Sequence, residues 1–205
     1  MSSRLIPVPA ALPQRGNAFS RALGLFLLWL MRWRISGTLP DTRQAVIIIA
    51  PHTSNYDGLV TVASMLALGL RISFFVKHSA FRGPWGGLMR WFGALPVNRE
   101  DSVDLVGFSA GKFAEKEKLL LAIAPEGTRH AAEEWKSGFY WIAQRAGVPI
   151  LLVAFDYGRR ETRILGTVTP SGDLASELPG IIARYQGITP AHADRLSLPL
   201  RKKRD

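Results

Sequence analysis

Residues 45–58 read "AVIIIAPHTSNYDG" and join an apolar run to a polar loop. A short run without polar residues is typical of a strand that is buried on both faces of a parallel sheet. Pro51 has no N–H to donate to a neighbouring strand, so we expect the strand to end before it. His52 and Asp57 then follow the strand at its carboxyl end, which is the edge where open α/β sheets bind their ligands.

The spacing of His52 and Asp57 excludes a meeting on one regular helix, where they would be about 140° apart. They meet only if His52 lies in the loop and Asp57 opens the next helix. A carboxylate beside an imidazole fixes its tautomer and stabilises its protonated form, which makes the histidine a better general base. A plainer interpretation stays open, in which Asp57 only caps the helix and Ser54 and Asn55 shape the turn.

Short apolar runs alternate with longer amphipathic stretches along most of the chain. This pattern indicates βαβ units, and it predicts an α/β fold with a mixed, largely parallel sheet covered by helices. Residues 162–170 are expected to add an edge strand, and residues 173–186 an irregular helix capped by Asp173. The predicted strands are 45–50, 71–76, 93–97, 119–124 and 149–155, and the predicted helices lie near 58–69, 101–117 and 133–147.

Composition restricts the partners and the kinds of site. The chain has 205 residues, enough for one domain, and a net charge of +10, which favours polyanionic partners such as anionic lipid, nucleic acid or a phosphorylated substrate. It has no cysteine, which excludes disulfides and thiolate metal sites. The histidines show no spacing typical of metal ligands, so we expect no metal and no cofactor.

The N-terminal part contains an uncharged stretch, "ALGLFLLWLM", at residues 22–31. It is shorter than the roughly 20 residues of a membrane-spanning helix. Apolar bulk with Trp29 and Trp33 between arginines favours a helix lying in the membrane interface, and a core helix is the alternative. We therefore predict a membrane-associating segment at 1–36, an α/β domain at 37–190 and a basic C-terminal tail at 191–205.

Further stretches follow predicted strands in the same way as the His52 loop. Together with that loop they resemble the glycerolipid acyltransferase family, specifically its lysophosphatidic acid acyltransferase group, over about residues 45–155. The resemblance consists of four blocks in order: His52 to Asp57, Gly93 to Arg99, Pro125 to Arg129 and Val148 to Ile150.

The resemblance implies that His52 is the general base and that Asp57 orients it. Lys77, which follows another predicted strand, is an additional candidate ligand for phosphate. An arginine side chain suits the binding of phosphate because its planar guanidinium group binds two phosphate oxygens at once. By the same resemblance, Arg99 and Arg129 would bind the phosphate of the acyl acceptor, and Glu126, Gly127 and Thr128 of the third block would shape that substrate pocket.

The reaction implied by the resemblance is transfer of a fatty acyl group to a lysophospholipid hydroxyl. Acyl-CoA or acyl carrier protein would supply the acyl group as a thioester co-substrate, and lysophosphatidic acid is the expected type of acceptor. The enzyme would lie peripherally or monotopically on the cytoplasmic face of the membrane, in contact with anionic lipid.

Two other functions compete with this interpretation. Residues 107–111, "GFSAG", match the Gly-x-Ser-x-Gly elbow of serine esterases, with Ser109 as the nucleophile. That motif requires a sharp turn from strand to helix, whereas the apolar residues around Ser109 recur at helical spacing. The basic charge alone also fits a nucleic-acid-binding module, although no nucleic-acid-binding motif accompanies it.

Overall fold

The structure is a computed structural model that describes residues 5–81, 86–97 and 104–201. Within these ranges the strands are β1 (Arg34–Ser36), β2 (Gln44–Ile49), β3 (Ile72–Lys77), β4 (Ala94–Val97), β5 (Leu119–Ile123), β6 (Ile150–Asp156) and β7 (Glu161–Val168). The helices are α1 (Ala18–Leu30), α2 (Tyr56–Leu68), α3 (Gly86–Trp91), α4 (Leu105–Glu115), α5 (Gly138–Ala146), α6 (Leu174–Ala183) and α7 (Leu198–Arg201).

The described strands form one sheet in the order β1-β7-β6-β2-β5-β3-β4. All neighbouring strands are parallel except β6 and β7, so the predicted mixed, largely parallel sheet is confirmed. β2 lies between β5 and β6, with Val46 opposite both Leu121 and Ile150. The loop that contains His52 therefore leaves from the middle of the sheet.

The two faces of β2 bury alternate residues, as the unbroken apolar run predicts. Ala45 and Ile47 face a core that includes residues before α1 and the end of α2. Val46 and Ile48 face the larger core on the other side of the sheet. That second core includes Phe113 of α4, Phe139 of α5 and Ile181 of α6.

The edge position predicted for residues 162–170 is wrong. These residues form β7, and β1 lies beyond it, with Arg34 opposite Glu161. β1 has only three residues, too few to show a periodic pattern in the sequence. The last residues of the predicted N-terminal segment, 34–36, thus belong to the sheet. The predicted cap of the following helix is confirmed, because Asp173 Oδ1 accepts a hydrogen bond from Ser176 N at 3.1 Å.

Helix α1 begins at a reciprocal cap, in which Asn17 Oδ1 accepts from Ser20 N and Ser20 Oγ accepts from Asn17 N. It then packs closely on α2, since a Cβ added at Gly24 would lie only 2.3 Å from Ala67 N. Its opposite side is exposed and apolar. We call this side the apolar face of α1, and it consists of Phe19, Leu23, Phe26, Trp29 and Leu30.

The two tryptophans of the N-terminal segment have different environments. Trp29 is 72% exposed, whereas Trp33 is buried and its Nε1 donates to Thr162 Oγ1 at 2.9 Å. The expectation that both would lie at a membrane interface is therefore wrong for Trp33, because it contributes to the protein core. In the ranges that the structure describes, every helix is too short or too polar to cross a membrane.

The described part of the predicted tail, residues 191–201, is packed against the α/β domain. Ser197 and Leu200 are buried, and Leu198 N donates to Ala132 O at 2.8 Å. The described residues of this segment therefore pack beside the loop that follows β5.

Candidate active site

The structure brings His52 and Asp57 together across the β2–α2 loop. Nδ1 of His52 lies 2.8 Å from Oδ2 of Asp57. Asp57 is the second residue of α2, and Asn55 occupies the N-cap position, so Asp57 does not act as a simple cap. A carboxylate in the first turn is also stabilised by the helix dipole.

The Asp57 carboxylate is buried and accepts hydrogen bonds from three groups. Its side chain is 1% exposed, while that of His52 is 27% exposed. Oδ2 accepts from His52 Nδ1 and from Ser54 N at 3.1 Å, and Oδ1 accepts from the hydroxyl of Tyr157. Because a carboxylate only accepts, the ring proton of neutral His52 sits on Nδ1. Nε2 is then the nitrogen that is free to take a proton.

Tyr157 is a site residue that the sequence reasoning missed. It directly follows β6, the strand next to β2, and its ring meets Trp33 edge-on at 5.0 Å between centroids. Burial and the hydrogen bond to Asp57 raise the pKa of the Tyr157 hydroxyl well above its ordinary value. The hydroxyl therefore stays protonated at neutral pH and donates a hydrogen bond to Asp57. Its position after a strand was visible in the sequence, but the strand order was not.

Glu126 holds the backbone of the His52 loop. Its Oε2 accepts from His52 N at 2.6 Å, and its Oε1 accepts from Ser197 Oγ at 2.8 Å. Burial raises the pKa of the Glu126 carboxyl, against the opposing effect of these donors. The carboxylate is buried and both of its oxygens bind protein donors, so Glu126 fixes the backbone of the loop that carries His52.

Arg129 and Lys136 are exposed cations that belong to the segment following β5. The guanidinium of Arg129 donates to Asn55 Oδ1, within that loop. Gly127 has a φ of +66°, and a Cβ added there would lie 3.1 Å from Lys136 Nζ. Glycine thus permits both the turn and the approach of the lysine. Thr128 Oγ1 accepts from His130 N at 3.2 Å, which stabilises the same turn.

For the predicted phosphate ligands Lys77 and Arg99, the structure describes only the backbone of Lys77. The backbone of Lys77 ends β3, which lies next to β5, so Lys77 belongs to the same edge of the sheet as the Glu126 loop. Its neighbour across the β3–β4 pair is Val97. Arg99 follows Val97 by two positions and lies outside the described residues.

Ser109 lies within α4 and not at a strand-to-helix turn. Its side chain is fully buried, and Oγ donates to Leu105 O at 2.6 Å. The serine esterase alternative is therefore wrong, because the motif occupies the interior of a helix.

The sequence model of the Acyltransferase family matches residues 32–156, more than half of the chain, and the chain belongs to this family. The fold is also similar to a crystal structure of the 1-acyl-sn-glycerophosphate (LPA) acyltransferase PlsC from Thermotoga maritima, with a TM-score of 0.55. That similarity covers 75% of this chain and 69% of the other at 19% sequence identity, so it shows a shared fold. No curated protein matches this sequence. Membership in the Acyltransferase family makes the chain an acyl-transferring enzyme.

Proposed function

We propose that this enzyme transfers a fatty acyl group from acyl-CoA or acyl carrier protein to the free hydroxyl of a lysophospholipid such as lysophosphatidic acid. The observation that carries the proposal is the His52–Asp57 pair, with 2.8 Å between Nδ1 and Oδ2, at the carboxyl end of the central strand. The site combines a partly exposed base with exposed cations, and this combination suits a phosphorylated acceptor that must lose a hydroxyl proton.

In the proposed reaction His52 Nε2 takes the proton of the acceptor hydroxyl as its oxygen attacks the thioester carbonyl carbon. Asp57 stabilises the resulting imidazolium and keeps the ring in place. The tetrahedral intermediate then collapses, the carbon–sulfur bond breaks, and the departing thiolate takes the proton from His52. The products are the new ester and a free thiol, so no acyl-enzyme and no cofactor is required.

Cations around the site would hold the phosphate of the acceptor. Arg129 donates to Asn55 of the His52 loop, Lys136 lies beside Gly127, and both side chains are exposed, so a phosphate could approach them from solvent. Arg99 and Lys77 are the further proposed ligands, assigned from the sequence and from the position of β3. An arginine contact to phosphate also orients the acceptor, because the guanidinium binds two oxygens in a fixed geometry.

The apolar face of α1 is the proposed membrane contact. Its residues Phe19, Phe26 and Leu30 follow helical spacing, so they form one stripe on a single side of the helix. Tyr56 and Leu59, at the start of α2, are also exposed. The net charge of +10 would add attraction to anionic lipid at the cytoplasmic face.

The apolar face of α1 ends close to the site, which supports entry of a lipid substrate from the membrane. Trp33 follows α1 by three residues, and its ring contacts that of Tyr157, the donor to Asp57. The Tyr56 ring lies beside the Tyr157 ring, with 6.4 Å between their centroids. A lysophospholipid in the interface would therefore reach His52 without leaving the bilayer surface.

The test is transfer of a labelled acyl group in mixed micelles of purified protein and lysophosphatidic acid. We expect product with the native protein and near-native rates in Ser109→Ala. His52→Ala should lose activity by roughly 10²–10⁴-fold, because the general base is removed. Glycerol 3-phosphate and a neutral lysophospholipid serve as comparison acceptors, each with acyl-CoA and acyl carrier protein donors. Full activity of His52→Ala, or no transfer to any acceptor, would contradict the proposal.

A further inference from the structure

We infer that residues 191–201, beyond the stretch matched by the family, position His52 by holding its loop at two points. The inference rests on the proposed role of His52 as the base. One point is Glu126, which binds the N–H of His52, and the other is Thr53, the next residue in the loop.

The first point depends on Ser197. The Ser197 hydroxyl is fully buried, accepts from Trp135 Nε1 at 3.2 Å and donates to Glu126 Oε1 at 2.8 Å. Glu126 in turn accepts from His52 N at 2.6 Å. Because the Trp135 indole lies in the core, this series of hydrogen bonds ties the backbone of His52 to a rigid part of the fold.

The second point depends on the turn around residues 192–195. His192 N donates to Thr53 Oγ1 at 3.3 Å, and Arg195 Nη1 lies 3.4 Å from Thr53 O. Thr53 is fully buried, so neither of its polar oxygens can bind solvent in place of these donors.

The two contacts fix consecutive residues of the loop, and this controls where the imidazole sits relative to Asp57. An error of about 1 Å in the position of a reacting group can cost about 100-fold in rate. Loss of the Ser197 hydroxyl would leave one oxygen of a buried carboxylate without its donor, so Glu126 would shift and release the N–H of His52. Ser197 is thus a positioning residue that acts through Glu126.

Ser197→Ala tests the inference, with Leu200→Ala as its matched control. Leu200 lies in the same segment and is buried in the core, and its truncation removes packing there. At a temperature where both variants are folded, we expect kcat to fall about tenfold in Ser197→Ala while the KM of the acceptor stays constant. Leu200→Ala should lower the melting temperature but keep kcat within about twofold. Equal kcat losses in the two variants would overturn the inference.

A second measurement needs no substrate, so it separates this inference from the proposed function. The amide proton of His52 donates in a short hydrogen bond to Glu126, and its NMR signal should move upfield in Ser197→Ala but not in Leu200→Ala. An unchanged signal would overturn the inference even if the enzyme transfers another acyl group. If Ser197→Ala does not fold, Ser197→Cys replaces it, because a thiol has a similar size to the hydroxyl and is a weaker hydrogen-bond donor. The amide proton signal of His52 should then move upfield by a smaller amount.

A double-mutant cycle identifies Glu126 as the intermediary. If Ser197 acts through Glu126, adding Ser197→Ala to Glu126→Gln should lower kcat by less than about twofold beyond the single Glu126→Gln change. Losses that multiply independently would show that Ser197 acts by another route and would overturn the inference.

Discussion

Replacing Tyr157 by phenylalanine removes one of the three donors to the buried Asp57 carboxylate and leaves the ring against Trp33 in place. A hydrogen bond to a charged group contributes about 1.5–3 kcal/mol, so the free energy of unfolding should fall by about that amount. For a chain of this size the melting temperature should then drop by about 3–12 °C.

The same change should also slow catalysis, because the carboxylate loses its anchor at Oδ1 and can rotate away from His52. If about 1–2 kcal/mol of the lost interaction is felt in the transition state, kcat falls about 5- to 30-fold. Steady-state kinetics with lysophosphatidic acid and a labelled acyl donor measure this loss, and thermal unfolding measures the loss of stability.

Tyr140→Phe is the matched control for Tyr157→Phe. Tyr140 is a buried tyrosine whose hydroxyl likewise donates to a carboxylate, that of Glu177, at 2.9 Å. This contact lies between α5 and α6. We expect Tyr140→Phe to be less stable than the native protein and equally active. If Tyr157→Phe loses stability but keeps the native kcat, the assignment of Tyr157 as an orienting residue is wrong.

Three further predictions concern the phosphate, the pH dependence and the membrane. Arg129→Ala should lower kcat/KM for a phosphorylated acceptor about 10- to 150-fold through a higher acceptor KM, with Arg129→Lys only partly restoring it; an unchanged acceptor KM would refute the contact. Because the folded-state pKa of Glu126 is raised, its contribution to stability is complete below the ordinary carboxyl pKa and is lost as pH rises through the raised value. The melting temperature of Glu126→Gln should therefore lie lowest relative to that of the native protein in acid, and the difference should shift in favour of the variant as the pH rises. A difference that stays constant with pH would contradict the reasoning. Replacing Phe26 and Trp29 by serine should weaken binding to anionic vesicles, measured by sedimentation, about 10-fold or more, without changing the melting temperature by more than a few degrees. Unchanged binding would exclude the apolar face of α1 as the membrane contact.

The sequence by itself determined the central strand, the loop that follows it and the family. These features depend on neighbouring residues: an unbroken apolar run makes a buried strand, Pro51 ends it, and the short loop lets His52 meet Asp57. The helical spacing around Ser109 likewise indicated that this residue is not an exposed nucleophile, as its burial in α4 confirms.

Only the tertiary structure decided which distant residues complete the site. Tyr157 reaches Asp57 across 100 positions and Ser197 reaches Glu126 across 71, and both contacts depend on strand order and on the path of the chain after β7. A local pattern contains no information about that order, because any strand with the same apolar run fits several places in a sheet. For the same reason the sequence could not separate the exposed Trp29 from the buried Trp33, since burial is fixed by what packs on each side of a residue.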